Sequence, residues 1–184
     1  WKALHYKVKE SFAPIIISHE FVNGDLQIAV VSDLLNDFEG EVEVVLSEFK
    51  DIEKILRWHK KVKVGANRAK QLFSIPSEQM SLGDDQKYTY LQLFLYDKSG
   101  LISKKNVYFL PNKELVLPRP ELDFSTENDK SNVLYVTVTS KNFAKGVHVT
   151  CNSSNNFSDN FFDLPIKGSK IISIPIDIDT VSYT

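Results

Sequence analysis

A proline-rich stretch from Leu110 to Pro120 divides the sequence into two parts. Three of the seven prolines lie in this stretch, which ends in a Pro-Arg-Pro triplet. Proline fixes its own backbone angle φ and pushes the residue before it towards extended conformations. The stretch is therefore expected to be a stiff, extended connector. We expect two small β domains in series, residues 14–117 and residues 118–184, preceded by a helical segment, residues 1–13.

Apolar residues alternate with polar ones through most of both parts, which is typical of half-buried strands. The clearest strand runs from Tyr88 to Asp97 and places Leu91, Leu93 and Leu95 on one face. The inward set predicted for the second part is Leu134, Val136, Val138, Val147, Val149, Cys151, Phe161, Phe162, Leu164, Ile172, Ile174 and Ile176. Strands separated by turns in this way favour antiparallel sandwiches. The predicted fold class is all-β, with two tandem antiparallel sandwiches.

The segment that contains Trp58 fits two patterns. Its first half, from Ile52 to Leu56, has helical spacing, whereas its second half, which ends in Val62 and Val64, nearly alternates. A short apolar run cannot be assigned by periodicity alone. The surrounding β pattern favours a strand here.

The first twelve residues have a different period. Trp1, Leu4, Val8 and Phe12 recur at steps of three and four, which is the apolar stripe of a helix, and Pro14 ends it. An apolar stripe of this kind normally packs on a core. We expect this stripe to pack on a neighbouring domain outside the sequence. Without that neighbour we expect it to fold onto the first sandwich, pair with another copy or fray.

Composition argues against several classes of function. Lys plus Arg number 22 and Asp plus Glu number 24, a formal net charge of −2, so no basic excess indicates nucleic acid or an anionic membrane as a partner. No apolar run reaches the roughly 20 residues of a membrane-spanning helix. The single cysteine, Cys151, follows two valines at period two, which favours a buried side chain over a reactive thiol. The chain starts at Trp1 and its only methionine is Met80, so we expect a piece of a longer protein.

The sequence shows no spacing typical of a catalytic or metal site. A Gly-x-Ser-x-Gly motif is absent. Asp177-Ile178-Asp179 offers carboxylates to calcium, but without a ligand loop it favours a solvated strand. The histidines are scattered: His5, His19, His59 and His148. We expect no catalytic residue, no metal ligand and no cofactor.

One aromatic row offers a candidate carbohydrate-binding surface. Tyr88, Tyr90 and Tyr96 alternate on one face of the clearest strand, and Trp58 is a further candidate. Flat aromatic rings can stack on sugar rings. The alternative, which we favour because no Asp and Asn set lies nearby to bind hydroxyl groups, is that the row packs against another sheet or domain.

Two stretches resemble β-mannosidases of glycoside hydrolase family two. The first, Trp1 to Tyr6 followed by Phe12 to Pro14, resembles the end of their catalytic barrel. The second, Asp159 to Leu164 followed by Ile171 to Ile176, resembles their terminal immunoglobulin-like domain. In addition, Val31 to Leu34 is similar to an early strand of the domain that follows the barrel. The order of these motifs matches the family along essentially the whole chain, although the sugar-binding domain and the barrel are absent.

The resemblance implies a barrel remnant followed by two immunoglobulin-like sandwiches. It also implies a parent enzyme that removes terminal β-linked mannose with retention. In that family both catalytic glutamates lie on barrel strands, so no residue here inherits their role. The expected function is a non-catalytic accessory region that braces the barrel and contributes to subunit contacts. The alternative is a carbohydrate-binding module for mannose-containing glycans.

The expected partners follow from the same resemblance. They are the parent barrel, another subunit and mannosides. Neither nucleic acid nor a membrane is expected. The family favours a periplasmic, secreted or lysosomal location.

Overall fold

The computed structural model describes residues 2–51, 56–80, 82–128, 132–152 and 156–175. The expectations for Trp1, Ile52, Ile176 and Asp177-Ile178-Asp179 fall outside these ranges. The helices are α1 (Ala3–Ser11) and α2 (Ser77–Met80). The strands are β1 (Ile15–Val22), β2 (Asp25–Ser32), β3 (Phe38–Glu48), β4 (Leu56–Val64), β5 (Arg68–Ile75), β6 (Thr89–Asp97), β7 (Gly100–Tyr108), β8 (Leu122–Asn128), β9 (Val133–Ser140), β10 (Ala144–Val147), β11 (Phe162–Leu164) and β12 (Ser169–Pro175).

The chain forms two compact units. The first unit comprises residues 10–116, and the second comprises the residues before 10 together with those after 116. The predicted fold class, all-β sandwiches with a short N-terminal helix, is confirmed. The division into residues 1–13, 14–117 and 118–184 stays a prediction.

The first unit is built from two antiparallel sheets. One has the order β1-β2-β5 and the other has the order β4-β3-β6-β7. The turn between β1 and β2 is made by Asn23 and Gly24, whose φ angles of 53° and 90° suit these two residue types. The two sheets share one core, formed by Ile15, Ile17, Leu26, Ile28, Val30, Phe38, Val42, Val44, Leu46, Val62, Val64, Ile75, Met80, Leu91, Leu93, Leu95 and Val107.

The ambiguous segment around Trp58 is a strand, as the β context favoured. Residues 56–64 form β4, which pairs with β3 from Leu46↔Leu56 to Phe38↔Val64. This pairing turns Val62 and Val64 into the core. The apolar spacing of this segment fits both a helix and a strand, and the hydrogen bonds supplied by the neighbouring strand β3 make it a strand.

The second unit has a smaller core between a three-stranded sheet, β12-β9-β8, and a two-stranded sheet, β10-β11. Its buried side chains are Val136, Val138, Ala144, Val147, Phe162, Leu164, Ile172 and Ile174. Cys151 is partly buried against this core, in keeping with its predicted position. All seven residues of β8 are exposed, because the two-stranded sheet leaves this edge strand uncovered.

The prediction that Phe161 points into this core is wrong. Phe161 has a φ of 57°, which is the left-handed region, so the simple alternation of side chains breaks there. Phe162 enters the core, and the Phe161 ring lies outside it, stacked on His148 with the centroids 4.3 Å apart.

Helix α1, as far as Lys9, belongs to the second unit. Tyr6 is 4% exposed and its ring centroid lies 6.1 Å from that of Phe161, while Lys9 Nζ donates to the Ser158 carbonyl at 3.2 Å. The helix thus packs on the second sandwich, which differs from the three expected outcomes of folding onto the first sandwich, pairing or fraying. Neither helix in the described part of the chain has the length and apolar character needed to cross a bilayer.

Candidate functional site

Tyr90 lies on the outer face of the four-stranded sheet, the face turned away from the core. Leu91 points into the core, and the alternation of a strand turns Tyr90 the other way. The Tyr90 ring stacks on Phe49 at a centroid distance of 5.2 Å and on Tyr108, its partner on β7, at 6.2 Å. Only 2% of Tyr90 is exposed. The ring is part of a buried aromatic cluster (Phe49, Tyr90 and Tyr108) and offers no surface to a sugar in solution.

Tyr96 lies on the same outer face, about 20 Å further along β6 at about 3.3 Å per residue. Its hydroxyl donates to Glu43 Oε2 at 3.4 Å, and its ring stacks on Phe94 at 6.1 Å. Burial, followed by the negative charge of Glu43, raises the pKa of the Tyr96 hydroxyl. Tyr96 therefore stays a protonated donor at neutral pH.

Tyr88 lies outside the strand to which the sequence assigns it. The strand β6 begins at Thr89, and Tyr88 closes the 3₁₀ turn Gly83–Lys87 that precedes it. Its ring is exposed, with Lys87 Nζ 5.2 Å from the centroid. The ring face on that side is thus occupied by an ammonium group.

Trp58 lies on the opposite face of the sheet from Tyr90 and Tyr96. On β4 it is paired with Val44, whose side chain is in the core, and it packs partly buried against that core. Its indole Nε1 donates to Gln79 Oε1 at 3.4 Å. The four sequence-predicted carbohydrate-binding residues consequently do not meet on one surface.

The rest of the outer face near Tyr96 carries ion pairs between β3 and β4. The sequence signal for them is the alternation of Glu with Val on β3 and of Lys or Arg with other residues on β4, which predicts a solvated surface. The pairs are Arg57–Glu43 at 2.7 Å, His59–Glu41 at 3.1 Å and Lys63–Glu39 at 2.8 Å. Each of these three carboxylates has a cationic or imidazole partner, which is the arrangement of a solvated strand pair.

Helix α1 has two faces of different character. Tyr6 faces the second sandwich, and burial, followed by the charge of Asp159, raises the pKa of its hydroxyl. Leu4 and Val8 are each two residues from Tyr6, which places them about 160° from it around the helix at 3.6 residues per turn. They are 72% and 43% exposed, and Phe12, just past the helix end, is 83% exposed. We call Leu4, Val8 and Phe12 the exposed stripe.

Tyr6 packs on a loop that is fixed by Asn160, a residue for which the sequence predicts no functional role. Asn160 is buried, and its side chain replaces a strand partner: Oδ1 accepts from Val149 N at 2.9 Å and Nδ2 donates to Val149 O at 2.8 Å. Asn160 Oδ1 also accepts from Phe161 N at 3.0 Å. An ion pair between Lys170 and Asp159 holds the same loop. These contacts fix the loop that carries Phe161, the ring nearest to Tyr6.

The chemistry available to these residues is limited to packing and hydrogen bonding. Within the described ranges no three His, Cys, Asp or Glu side chains are arranged to hold a metal ion. The two most distinctive features are therefore surfaces: the aromatic row, which the fold divides, and the exposed stripe of α1.

Two family models match the chain. Residues 24–114 match the Mannosidase Ig/CBM-like domain, and residues 117–180 match an Ig-fold domain of mannosidases. Together the two matches cover more than half of the chain. The comparison with curated proteins found no match.

Solved structures with similar folds include two glycoside hydrolases. The beta-D-mannosidase from Dictyoglomus thermophilum aligns with a TM-score of 0.78 and 23% identity over 93% of this chain and 20% of its own. The exo-chitosanase CsxA from Amycolatopsis orientalis aligns with a TM-score of 0.61 and 15% identity over 92% of this chain and 24% of its own. The chain thus spans about a fifth of the mannosidase and about a quarter of the chitosanase. These likenesses concern the fold, whereas the two family matches show that the chain belongs to the mannosidase family of immunoglobulin-like domains.

Proposed function

We propose that this chain is a non-catalytic accessory region of a β-mannosidase-like glycoside hydrolase, and that it braces the catalytic barrel that precedes it. The observation that carries the proposal is the two-faced helix α1. One face of that helix is fixed to the second sandwich through Tyr6, and the other face presents the exposed stripe.

The exposed stripe has the chemistry of a surface that is covered in a larger protein. Burying a Leu, Val or Phe side chain contributes roughly 1.5–3 kcal/mol. Three such side chains in a row at helical spacing therefore represent several kcal/mol that only a neighbouring apolar surface can recover. Because the chain spans about a fifth of the Dictyoglomus thermophilum enzyme, much of that enzyme corresponds to sequence outside this chain, and its catalytic domain is the proposed neighbour.

The acidic residues of the first unit support a non-catalytic role. A retaining glycosidase needs two carboxyl groups roughly 5–5.5 Å apart, one of them a nucleophile open to the sugar. Glu39, Glu41 and Glu43 form a row on β3, but each is paired with a cation or imidazole on β4. Their arrangement suits a solvated strand pair.

The bracing function is tested in a full-length β-mannosidase that carries this chain. Replacing Leu4, Val8 and Phe12 together by Ser should lower the temperature at which the enzyme loses activity, because the barrel loses apolar contacts, while kcat/KM at low temperature stays unchanged. The matched control is Leu35→Ser, which changes a loop leucine that is 88% exposed. Equal inactivation temperatures for the two variants would contradict the proposal.

The non-catalytic part has its own test. The purified chain is mixed with a chromogenic β-mannoside, and no release of the chromophore is expected. Hydrolysis above the buffer rate would overturn this part of the proposal.

The alternative function, a carbohydrate-binding module for mannose-containing glycans, draws support from the CBM-like description of the domain matched by residues 24–114. Of the four sequence-predicted residues, Trp58, Tyr88 and Tyr96 are the proposed contacts in this alternative, because Tyr90 is buried in the aromatic cluster. Calorimetry with manno-oligosaccharides and the variants Trp58→Ala and Tyr88→Ala tests it. Binding that both variants retain would exclude Trp58 and Tyr88 as contacts.

A further inference from the structure

A groove at one end of the first unit has the size and lining of a ligand site. It encloses about 420 Å³, within the range of roughly 300–1,000 Å³ that is usual for small-molecule sites. The turn after β1, helix α2, the 3₁₀ turn before β6 and the end of β7 surround it. Its main side chains are Phe21, Glu78, Met80, Leu82, Gln86 and Phe109.

Two aromatic rings form one wall of the groove. Phe21 and Phe109 lie with their centroids 5.7 Å apart and their planes inclined at 53°. Phe21 also makes a T-shaped contact with the His19 ring, at a centroid distance of 6.1 Å and an interplanar angle of 84°. Phe21 is nevertheless 39% exposed. The ring is therefore held by two neighbouring rings and still has part of its surface open to a ligand, which keeps the entropy cost of binding low.

The polar groups of the groove come from α2 and the 3₁₀ turn, and α2 is held in place by the hairpin. Ser77, Glu78 and Gln86 supply a hydroxyl, a carboxylate and an amide. The backbone N–H of Ser77 donates to Asp25 Oδ1 at 2.9 Å, which ties α2 to the β1–β2 turn. A Cβ on Gly24 would make an ordinary van der Waals contact with Ser77 Cβ at 3.5 Å, so the φ of 90°, and not the spacing, favours glycine in this turn. Ser77 and Glu78 thus belong to a segment that is fixed to the hairpin.

The charge of the lining selects the class of ligand. The groove residues that the structure describes include one acidic side chain and no Lys or Arg, so an anionic ligand is disfavoured. A carboxylate and an amide in the same groove as apolar rings suit a molecule that has hydroxyl groups around its edge and an apolar face of C–H groups. A neutral pyranose ring has both.

We propose that this groove, and not the tyrosine row, binds a neutral saccharide ring, with Phe21 stacked on the ring and Gln86 bonded to its hydroxyl groups. The inference does not depend on the bracing function, because every groove residue lies in the first unit and the exposed stripe takes no part. Loss of the Phe21 ring should weaken binding about tenfold, the effect of roughly 1.4 kcal/mol from one aromatic contact.

The test is a titration of the ¹⁵N-labelled chain with mannotriose, with cellotriose as a second probe of ring stereochemistry. Backbone amide shifts should change at the β1–β2 turn, α2 and the end of β7. Phe21→Ala and Gln86→Ala should each weaken the response. The matched control is Phe124→Ala, which removes an exposed phenylalanine of the second unit and should leave the response unchanged.

Several outcomes would overturn the proposal. They are an absence of shifts with both sugars up to tens of millimolar, shifts confined to the outer face around Tyr96, or equal affinity of Phe21→Ala and Phe124→Ala. If Phe21→Ala fails to fold, Gln86→Ala decides, because its side chain is polar and lies outside the core. None of these outcomes bears on the inactivation temperature that tests the brace.

Discussion

Tyr90 shows how burial changes what a residue can do. The sequence offers two interpretations of its aromatic row, a sugar-binding surface or, as we favoured, a row packed against another sheet or domain. In the structure Tyr90 stacks on Phe49 and Tyr108 with 2% of its surface exposed. We expect Tyr90→Ala to lower the free energy of unfolding by about 3–4 kcal/mol, because it leaves a cavity in the aromatic cluster. Urea denaturation measures this change.

The control for this prediction is Tyr90→Phe, which keeps the ring and removes only the hydroxyl. It should cost much less than the alanine variant. Equal destabilisation by the two variants would show that the ring contacts are not what Tyr90 contributes. Loss of sugar binding in Tyr90→Ala would report destabilisation and could not by itself identify a site.

The sequence predicts the strand face to which a side chain points wherever apolar and polar residues alternate regularly. Leu91, Leu93 and Leu95 are in the core as their period of two predicts. The alternation could not reveal that the outer face of the same strand is covered at Tyr90, because that depends on Phe49 beyond the end of β3. It also failed at Phe161, where a left-handed residue shifts the pattern.

At the scale of elements, helix α1 buries one side chain, Tyr6, against the second sandwich and adds an exposed hydrogen bond from Lys9 to Ser158. We expect Tyr6→Ala to detach the helix from the second sandwich, since Tyr6 is its buried residue and meets Phe161. Trypsin should then cleave after Lys7 and Lys9 faster than in the wild type. Alanine favours helix formation, so faster cleavage would reflect lost packing and not lost helix propensity.

The matched control on the same helix is Leu4→Ala. Leu4 is 72% exposed, so its removal should leave the cleavage rate unchanged. Cleavage that is equally fast in both variants, or unchanged in both, would contradict the assignment of Tyr6 as the anchor.

The sequence predicts the secondary-structure elements better than it predicts the contacts between them. The strand β4 followed from context, and the helix from the spacing of Leu4 and Val8. The spacing could not show that Tyr6, on the other side, is the residue that packs, since a period of 3.6 identifies an apolar stripe and not its partner. The groove near Phe21 was not predicted, because its lining comes from segments far apart in the sequence.

At the scale of the whole molecule, His19 makes stability depend on pH. Burial, and then the positive charge of Lys105, lowers the pKa of His19 from 6.5 to about 4. Its Nδ1 is buried and has no hydrogen-bond partner. Between these two pH values the unfolded chain binds a proton that the folded chain does not, so stability falls as the pH drops from about 6.5 towards 4.

The measurement is urea denaturation of the wild type and His19→Gln at pH 7 and pH 5. The wild type should lose more stability between these pH values than the variant. The control variant is His59→Gln, which changes an exposed imidazole paired with Glu41. It should lose as much stability between pH 7 and pH 5 as the wild type, because His19 is intact. An identical loss in His19→Gln and the wild type would exclude His19 as its source.

The uncovered strand β8 is a site at which two molecules could pair edge to edge and aggregate. In the described part of the chain β8 pairs only with β9, so its outer edge presents backbone donors and acceptors to any passing strand. Asp123 and Glu127 lie on this edge strand, and both are exposed. If two molecules approached with their β8 edges facing, these carboxylates would come close together. Their repulsion disfavours pairing of the two edges and hence aggregation through a continuous sheet.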